Sequence, residues 1–351
     1  MIRRLAVDLL VTRGNVWQGA RVLIGRRNFC LATAAAGLPV GSAARARRIP
    51  VIFHTDIGGD VDDTFALLWL LRRPELDLRL VVTDNGTTLY KARLAAKLLA
   101  LAGRHDVLIA YGPDAGNGPG AQSAWVQDYS LAQYRGPSSP DGAQAIVDTV
   151  LASSTPITII STGPATLVAA ALKLQPSIVR KARFVGMFGS LRKGYGGSPT
   201  QIAEINVKLN PAALRTVFSA NWRVTITPLD TCGDVTLDGA QWQNFRASKD
   251  PFAQACVANS EIWLPNAPWM PKDFDLTKRS SVLFDTVAVL LAYDESPLRV
   301  ETLPISITDA GMTVVDERGR RVRVATGWKD LAGFKRTLIT DLTSAAAGRS
   351  G

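Results

Sequence analysis

Four carboxylates, Asp56, Asp60, Asp62 and Asp63, fall within eight residues of the segment Val51–Leu71, VIFHTDIGGDVDDTFALLWLL. Left bare, such a group repels itself, and any buried member must take up a proton or be desolvated at high cost. A hard divalent cation removes the conflict, because Ca²⁺ and Mg²⁺ take oxygen ligands. Gly58 and Gly59 let the backbone turn sharply and approach whatever the acids hold. Asp62 or Asp63 can also cap the helix that follows, where the helix dipole favours negative charge. The other reading of such a stretch is a solvated acidic turn that only caps a helix.

These acids need elements to hold them. The apolar run Val51–Phe53 reads as a buried strand, and Asp63–Arg72 as a helix. The acids then lie at the carboxyl end of a strand, where open α/β sheets bind ligands. The alternation continues along the chain. Strands are expected at 78–83, 107–110, 157–160, 184–187 and 224–227, with helices at 91–102, 141–152, 164–174 and 211–219. The fold class is therefore α/β, a doubly wound, mostly parallel sheet with helices on both faces and a helical lid. The loop 111–140 is long and rich in Gly, Pro and Ser, which marks a functional loop. Residues 236–280 break the rhythm and hold many aromatics. They are expected to be mainly helical, as a lid or wall insertion whose aromatics serve the core. Near the end, 313–315 and 322–325 flank Asp316–Gly319 as a hairpin, before a last helix at 329–342.

The chain has 351 residues, 47% of them hydrophobic, and a formal net charge of +10. Residues 1–48 contain nine Arg and one acid, so nearly all of the basicity belongs to the leader and is poor evidence for nucleic-acid binding. No apolar run reaches the roughly eighteen residues of a membrane span, so no stable membrane insertion is expected. Arg26-Arg27-Asn28-Phe29-Cys30-Leu31 resembles a twin-arginine export motif, and Ala44-Arg45-Ala46 a small-x-small cleavage site. Residues 1–46 are read as an export leader, giving a periplasmic or secreted protein. A basic tail on a cytoplasmic enzyme is the other reading. Of three cysteines, Cys232 and Cys256 are a candidate pair, although two cysteines define no framework. Only two histidines exist, His54 and His105, and no Cys/His cluster suits zinc.

The acidic segment resembles the calcium-dependent nucleoside hydrolase family of the inosine–uridine-preferring type, whose first strand ends in Asp-x-Asp-Pro-Gly-x-Asp-Asp. His54 stands where the family has its first Asp, Ile57 replaces the Pro, and two extra residues separate Asp56 from Asp62-Asp63. Asp60 and Asp62 thus remain alternatives for the ribose-contacting role. Four further stretches match in order, so the resemblance covers about residues 49–345, read as one nucleoside-hydrolase-like domain. It implies that Asn85, in Asp84-Asn85-Gly86, touches ribose and that Thr162, in Thr162-Gly163-Pro164, gives its backbone carbonyl to calcium. Glu204 and Asn206 match the family's Glu-x-Asn. If that segment is extended, they point the same way, toward a sugar 5′-hydroxyl. Asp285 matches the last metal ligand, while Phe284 occupies the place of a His used near the leaving base.

The resemblance implies Ca²⁺-dependent hydrolysis of the N-glycosidic bond of a nucleoside or related riboside, and a homo-oligomer. Asp56 is the best candidate both to bind the metal and to take the proton of the attacking water, with Asp63 as second ligand. A catalytically weak nucleoside- or sugar-binding protein on the same scaffold is the alternative. Asp-x-Asp after a strand also suggests a haloacid-dehalogenase-like phosphatase, but His54 then occupies the nucleophile position, which argues against it.

Overall fold

The computed structural model describes residues 48–116 and 118–344. The expected leader, residues 1–46, lies outside them. The central sheet contains β1 (Ile49–Thr55), β2 (Leu76–Thr83), β3 (Leu108–Tyr111), β4 (Ser138–Ser139), β5 (Ile157–Ser161), β6 (Ala182–Met187), β7 (Val224–Thr227), β8 (Leu298–Ile307), β9 (Thr313–Val315) and β10 (Arg320–Trp328). Their spatial order is β4-β3-β2-β1-β5-β6-β7-β10-β8-β9. Pairings from β4 through to β10 are parallel, and β8 joins β10 and β9 antiparallel.

Alternation along β1 feeds two cores. Val51 and Phe53 pack with the helices Asp62–Arg72, Thr88–Leu101, Pro251–Trp263, Thr286–Leu291 and Leu331–Thr343. Ile52 packs with Gly142–Ala152, Thr166–Leu174 and Pro211–Ser219 on the other side. All five residues of β5 are buried, as expected of a parallel strand covered on both faces. From β1 the chain winds outward through β2, β3 and β4, then returns to β5 on the opposite side of β1. The strand order therefore reverses between β1 and β5. Their carboxyl ends form the crevice where such sheets bind ligands.

The expected terminal hairpin is not formed. β9 pairs with β8 through Ile305–Val315, while β10 lies along the other edge of β8. The strand missing from the sequence reading is β8, LRVETLPISI. Pro304 interrupts its pattern but costs little here, since its carbonyl still accepts the Asp316 N–H at 2.9 Å just beyond the end of β9. Cys232 and Cys256 are both buried free thiols, so the candidate pairing is not made.

Residues 236–280 contain the helices Gly239–Ala247 and Pro251–Trp263. Trp242, Phe245 and Trp263 are fully buried in the core, whereas Trp269 is 57% exposed. The loop 111–140 is organised by two short 3-10 turns, Ser123–Val126 and Leu131–Gln133. Gln122 ties it to the acidic segment, donating to the Asp60 carbonyl at 2.9 Å and accepting from Thr64 Oγ1 at 2.9 Å.

Candidate active site

Asp62 and Asp63 open the helix Asp62–Arg72, in the first turn where the dipole favours their charge. Neither is its cap: that position is Val61, whose N–H is held by Asp60 Oδ1 at 2.6 Å. Asp63 Oδ1 accepts hydrogen bonds from two hydroxyls on neighbouring strand ends, Thr55 Oγ1 and Thr162 Oγ1, the latter at 2.7 Å. Asp285 arrives from 223 residues away, immediately before the helix Thr286–Leu291, and its N–H donates to Asp62 Oδ2 at 3.3 Å.

Oxygens of Asp62, Asp63 and Asp285 all lie within 4.8 Å of one another, and the three residues are 4%, 2% and 3% exposed. Two oxygens bound to one Ca²⁺ at its usual 2.3–2.6 Å lie at most about 5 Å apart. These residues therefore fit a divalent metal in spacing and in chemistry, since every donor is a hard oxygen. Protonation is the remaining way to relieve the repulsion. Burial, followed by the Asp56 charge, raises the pKa of Asp63 to about 7. Burial and the neighbouring carboxylates push Asp62 and Asp285 well above the carboxylate range. Asp60, raised mainly by burial, sits at about 6.

The sequence set Asp56, Asp63 and Asp285 together. The structure gathers Asp62 with Asp63 and Asp285, while Asp56, partly buried, stays outside that trio but near enough for its charge to act on Asp63. Among the described residues the Asp56 side chain accepts only a long bond from Asn85 Nδ2, at 3.4 Å. Asp60 is bonded to backbone and stays outside the cluster. Asn85 has a φ of 66°, the only non-glycine residue in the left-handed region among the described residues. Such strain persists where surrounding structure fixes it, commonly at functional sites. Here it turns the amide toward Asp56.

Glu204 and Asn206 do not share an extended segment. Glu204 caps the short helix Ile205–Leu209, and Asn206 lies in its first turn. The Glu204 carboxylate accepts the N–H groups of Gly189, Asn206 and Val207 at 3.0, 2.8 and 3.3 Å. Burial nevertheless raises its pKa to about 7. The Asn206 amide donates to the carbonyl of Thr162 at 2.9 Å and of Met187 at 3.2 Å. Thr162 is thus braced at both its hydroxyl and its carbonyl.

His54 is buried on the Ile52 side of β1, with Nε2 2.9 Å from Asp84 Oδ2 and Nδ1 2.9 Å from Ser161 Oγ. It has no exposure and belongs to the frame that joins β1, β2 and β5. Burial opposes ionisation of Asp84, but the His54 ring and the N–H groups of Leu167 and Asn85 win and hold its pKa below the usual range.

Three contributors escaped the sequence reading. Lys91 is buried on the inner face of the helix Thr88–Leu101, and its Nζ donates to the Asp56 carbonyl at 2.7 Å, bringing positive charge toward Asp63. A lysine three residues after Thr88 and four before Ala95, both inward-facing, was the available signal. Thr55 reaches Asp63 from β1 and also accepts the Ile57 N–H at 3.0 Å. Tyr195, on the loop after β6, meets the Phe284 ring edge-on at 5.8 Å.

Gly163 matters for space. A Cβ there would lie 2.8–3.0 Å from the N, Cβ and Cγ of Asp56. Gly163→Ala is expected to displace Asp56 and lower kcat by on the order of 10²-fold, as a misplacement near 1 Å can. A variant with wild-type kcat would contradict this positioning.

Residues 51–336 match the family model described as inosine-uridine preferring nucleoside hydrolase. A pyrimidine-specific ribonucleoside hydrolase of Citrobacter koseri is 30% identical over 224 residues, covering 58% of this chain and 68% of the relative. The protein of the same name from Salmonella newport matches equally. A plant nucleoside hydrolase structure superposes with a TM-score of 0.72 at 19% identity, covering 85% of this chain and 100% of that one. An inosine-uridine preferring nucleoside hydrolase from Bacillus anthracis gives 0.65 at 20% identity, covering 84% and 99%. The structural likeness establishes the fold, and the sequence match establishes the lineage. With the buried oxygen cluster at the switch point of that fold, the chain belongs to the inosine-uridine preferring nucleoside hydrolase family of N-glycosyl hydrolases.

Proposed function

We propose that the protein is a Ca²⁺-dependent N-ribohydrolase that splits a ribonucleoside or related N-riboside into ribose and free base. The observation that carries this reading is the convergence of the adjacent pair Asp62 and Asp63 with Asp285, three buried carboxylates from two distant parts of the chain. Calcium suits an all-oxygen set with room for more ligands, and Asp56 and the Thr162 carbonyl are the proposed additions. A bound cation would orient the 2′- and 3′-hydroxyls and make a water more acidic.

The chain's own groups do the rest. Asp56, whose carboxylate is held among the described residues by Asn85 alone, takes the proton of the attacking water. Asn85 and either Asp62 or Asp60 hold the ribose hydroxyls, with Glu204 and Asn206 toward the 5′-hydroxyl and Phe284 toward the base. The surrounding carboxylates stabilise the positive charge that grows on the ribosyl group as the C1′–N bond breaks.

Leaving-group chemistry sets the test. A general acid typically contributes roughly 10²–10⁴-fold. Both nitrogens of His54 are engaged, and Phe284 has no proton to give. His105 packs against Tyr134, whose hydroxyl bonds to the carbonyls of Arg104 and Val107, before β3 and away from the crevice. A nitrophenyl riboside is therefore expected to be cleaved far faster than inosine or uridine. Between the natural pair uridine is expected to be the better, since relatives at 30% identity are named pyrimidine-specific. Comparable rates on all three, with a bell-shaped pH profile near neutrality, would reveal a strong acid and overturn this part.

Export is proposed from the Arg26-Arg27 leader, with cleavage near Ala46. A reporter carrying residues 1–50 should leave the cytoplasm, and should stay there when Arg26 and Arg27 become Lys. Homo-oligomerisation is proposed on the family resemblance alone. No helix among the described residues is long and apolar enough to cross a membrane.

A further inference from the structure

Two site elements, 204–206 and 284–285, are bridged by a residue outside every motif. Tyr195 opens a short turn, Tyr195–Gly197, on the loop that leaves the carboxyl end of β6. Its ring stands edge-on to Phe284, with centroids 5.8 Å apart and planes at 83°. Its phenol oxygen accepts the N–H of Ile205 at 3.2 Å, between Glu204 and Asn206. That bond fixes the oxygen and leaves the phenol proton uncommitted among the described residues. The residue is 42% exposed, so a ligand can reach it.

An anchored oxygen with a free proton is a preorganised donor, aimed without reorganisation at charge that develops nearby. The group that gains negative charge as an N-glycosidic bond breaks is the departing base. Phe284, immediately before Asp285, places the Tyr195–Phe284 corner next to the carboxylate cluster.

We propose that Tyr195 is the hydrogen-bond donor to the departing base, and that with Phe284 it forms a subsite for a nucleobase carrying a carbonyl or ring-nitrogen acceptor. This rests on the N-ribohydrolase reading. As the C1′–N bond breaks, its electron pair moves onto the base, and the Tyr195 hydroxyl donates to the acceptor that carries that charge. The phenol keeps its proton, and the free base takes its own from solvent.

Tyr195→Phe keeps the ring against Phe284 and removes only the hydroxyl. The half-exposed Ile205 N–H then turns to water. On uridine, kcat/KM is expected to fall by roughly 10²–10³-fold, the usual loss for one transition-state donor. On nitrophenyl riboside, whose leaving anion is already stable, most of the rate should remain. Equal losses on both substrates, or no loss on uridine, would overturn the proposal. Should the wild-type protein release sugar from neither, the hydrolytic reading fails, and uridine binding by calorimetry decides on Tyr195 separately. Weaker binding in Tyr195→Phe supports the contact, and an unchanged Kd refutes it.

Discussion

Asp285→Asn is expected to weaken calcium binding by several orders of magnitude while making the metal-free protein more stable. Both effects come from the same geometry. Asp62, Asp63 and Asp285 crowd their oxygens within 4.8 Å at buried positions, so each carboxylate attracts a cation and repels its neighbours. An amide keeps the shape and the oxygen but supplies no charge. Losing a Lewis-acid ligand is worth several kcal/mol, and each 1.36 kcal/mol is tenfold. Activity should fall in parallel at fixed calcium. Asp56→Asn should also lower activity, and should weaken calcium binding if Asp56 completes the ligand set. Titration calorimetry checks both variants. If both leave calcium affinity unchanged, the metal assignment is wrong. A drop in affinity together with lower metal-free stability would instead mean that Asp285 is mainly a structural cap.

The second large effect is a pH dependence that calcium reverses. Asp63 is raised to about 7 and Asp60 to about 6 from an ordinary value of 3.8, with Asp62 and Asp285 raised further, all mainly by burial. In the metal-free protein the folded state thus holds protons that the unfolded chain has already released. Unfolding free energy falls with pH wherever the folded state binds more protons. The favourable contribution is fully present below about pH 4 and is lost as pH rises through 7. Glu204, raised to about 7 by burial, adds a loss of the same sign. Between pH 5 and 8 the melting temperature in chelator is therefore expected to fall. Calcium needs ionised ligands, so its affinity and its stabilising effect should grow over the same interval. Scanning calorimetry at the two pH values, with chelator and with calcium, gives the four melting temperatures required. A chelated protein that becomes more stable toward pH 8, or equal calcium stabilisation at both values, would contradict this account.

Much of the framework was legible because it is local. A strand, two glycines, four acids and an apolar helix are read directly from Val51–Leu71, and β1 with the helix Asp62–Arg72 puts them at the switch point. The strand at 224–227 and the helix at 211–219 were bounded correctly because turn residues flank clear apolar runs. β8 was missed because Pro304 falls inside it and only three of its ten residues are buried. The neighbouring segments were then paired with each other across Asp316–Gly319.

At the site, spacing along the chain could name the acids but not choose which converge. Asp62 joins Asp63 because the backbone of Asp285 reaches it, a contact over 223 residues that no local pattern contains. For Glu204 and Asn206 the shared direction depends on an extended segment, and a Glu two residues before an Asn carries no signal that decides between strand and helix. Their roles as cap and brace emerge only when Gly189 and Thr162 are brought alongside. Lys91 was hidden among the apolar positions of its helix, and Tyr195 in a glycine-rich loop without a motif.

The most direct measurement is release of reducing sugar from uridine and from nitrophenyl riboside by purified protein, first in chelator and then after calcium is restored. No release is expected in chelator, with recovery on calcium and free base and ribose in equal amounts. Saturable uridine binding with calcium present but no sugar from either riboside would contradict this, and would make the protein a nucleoside-binding module on a hydrolase fold.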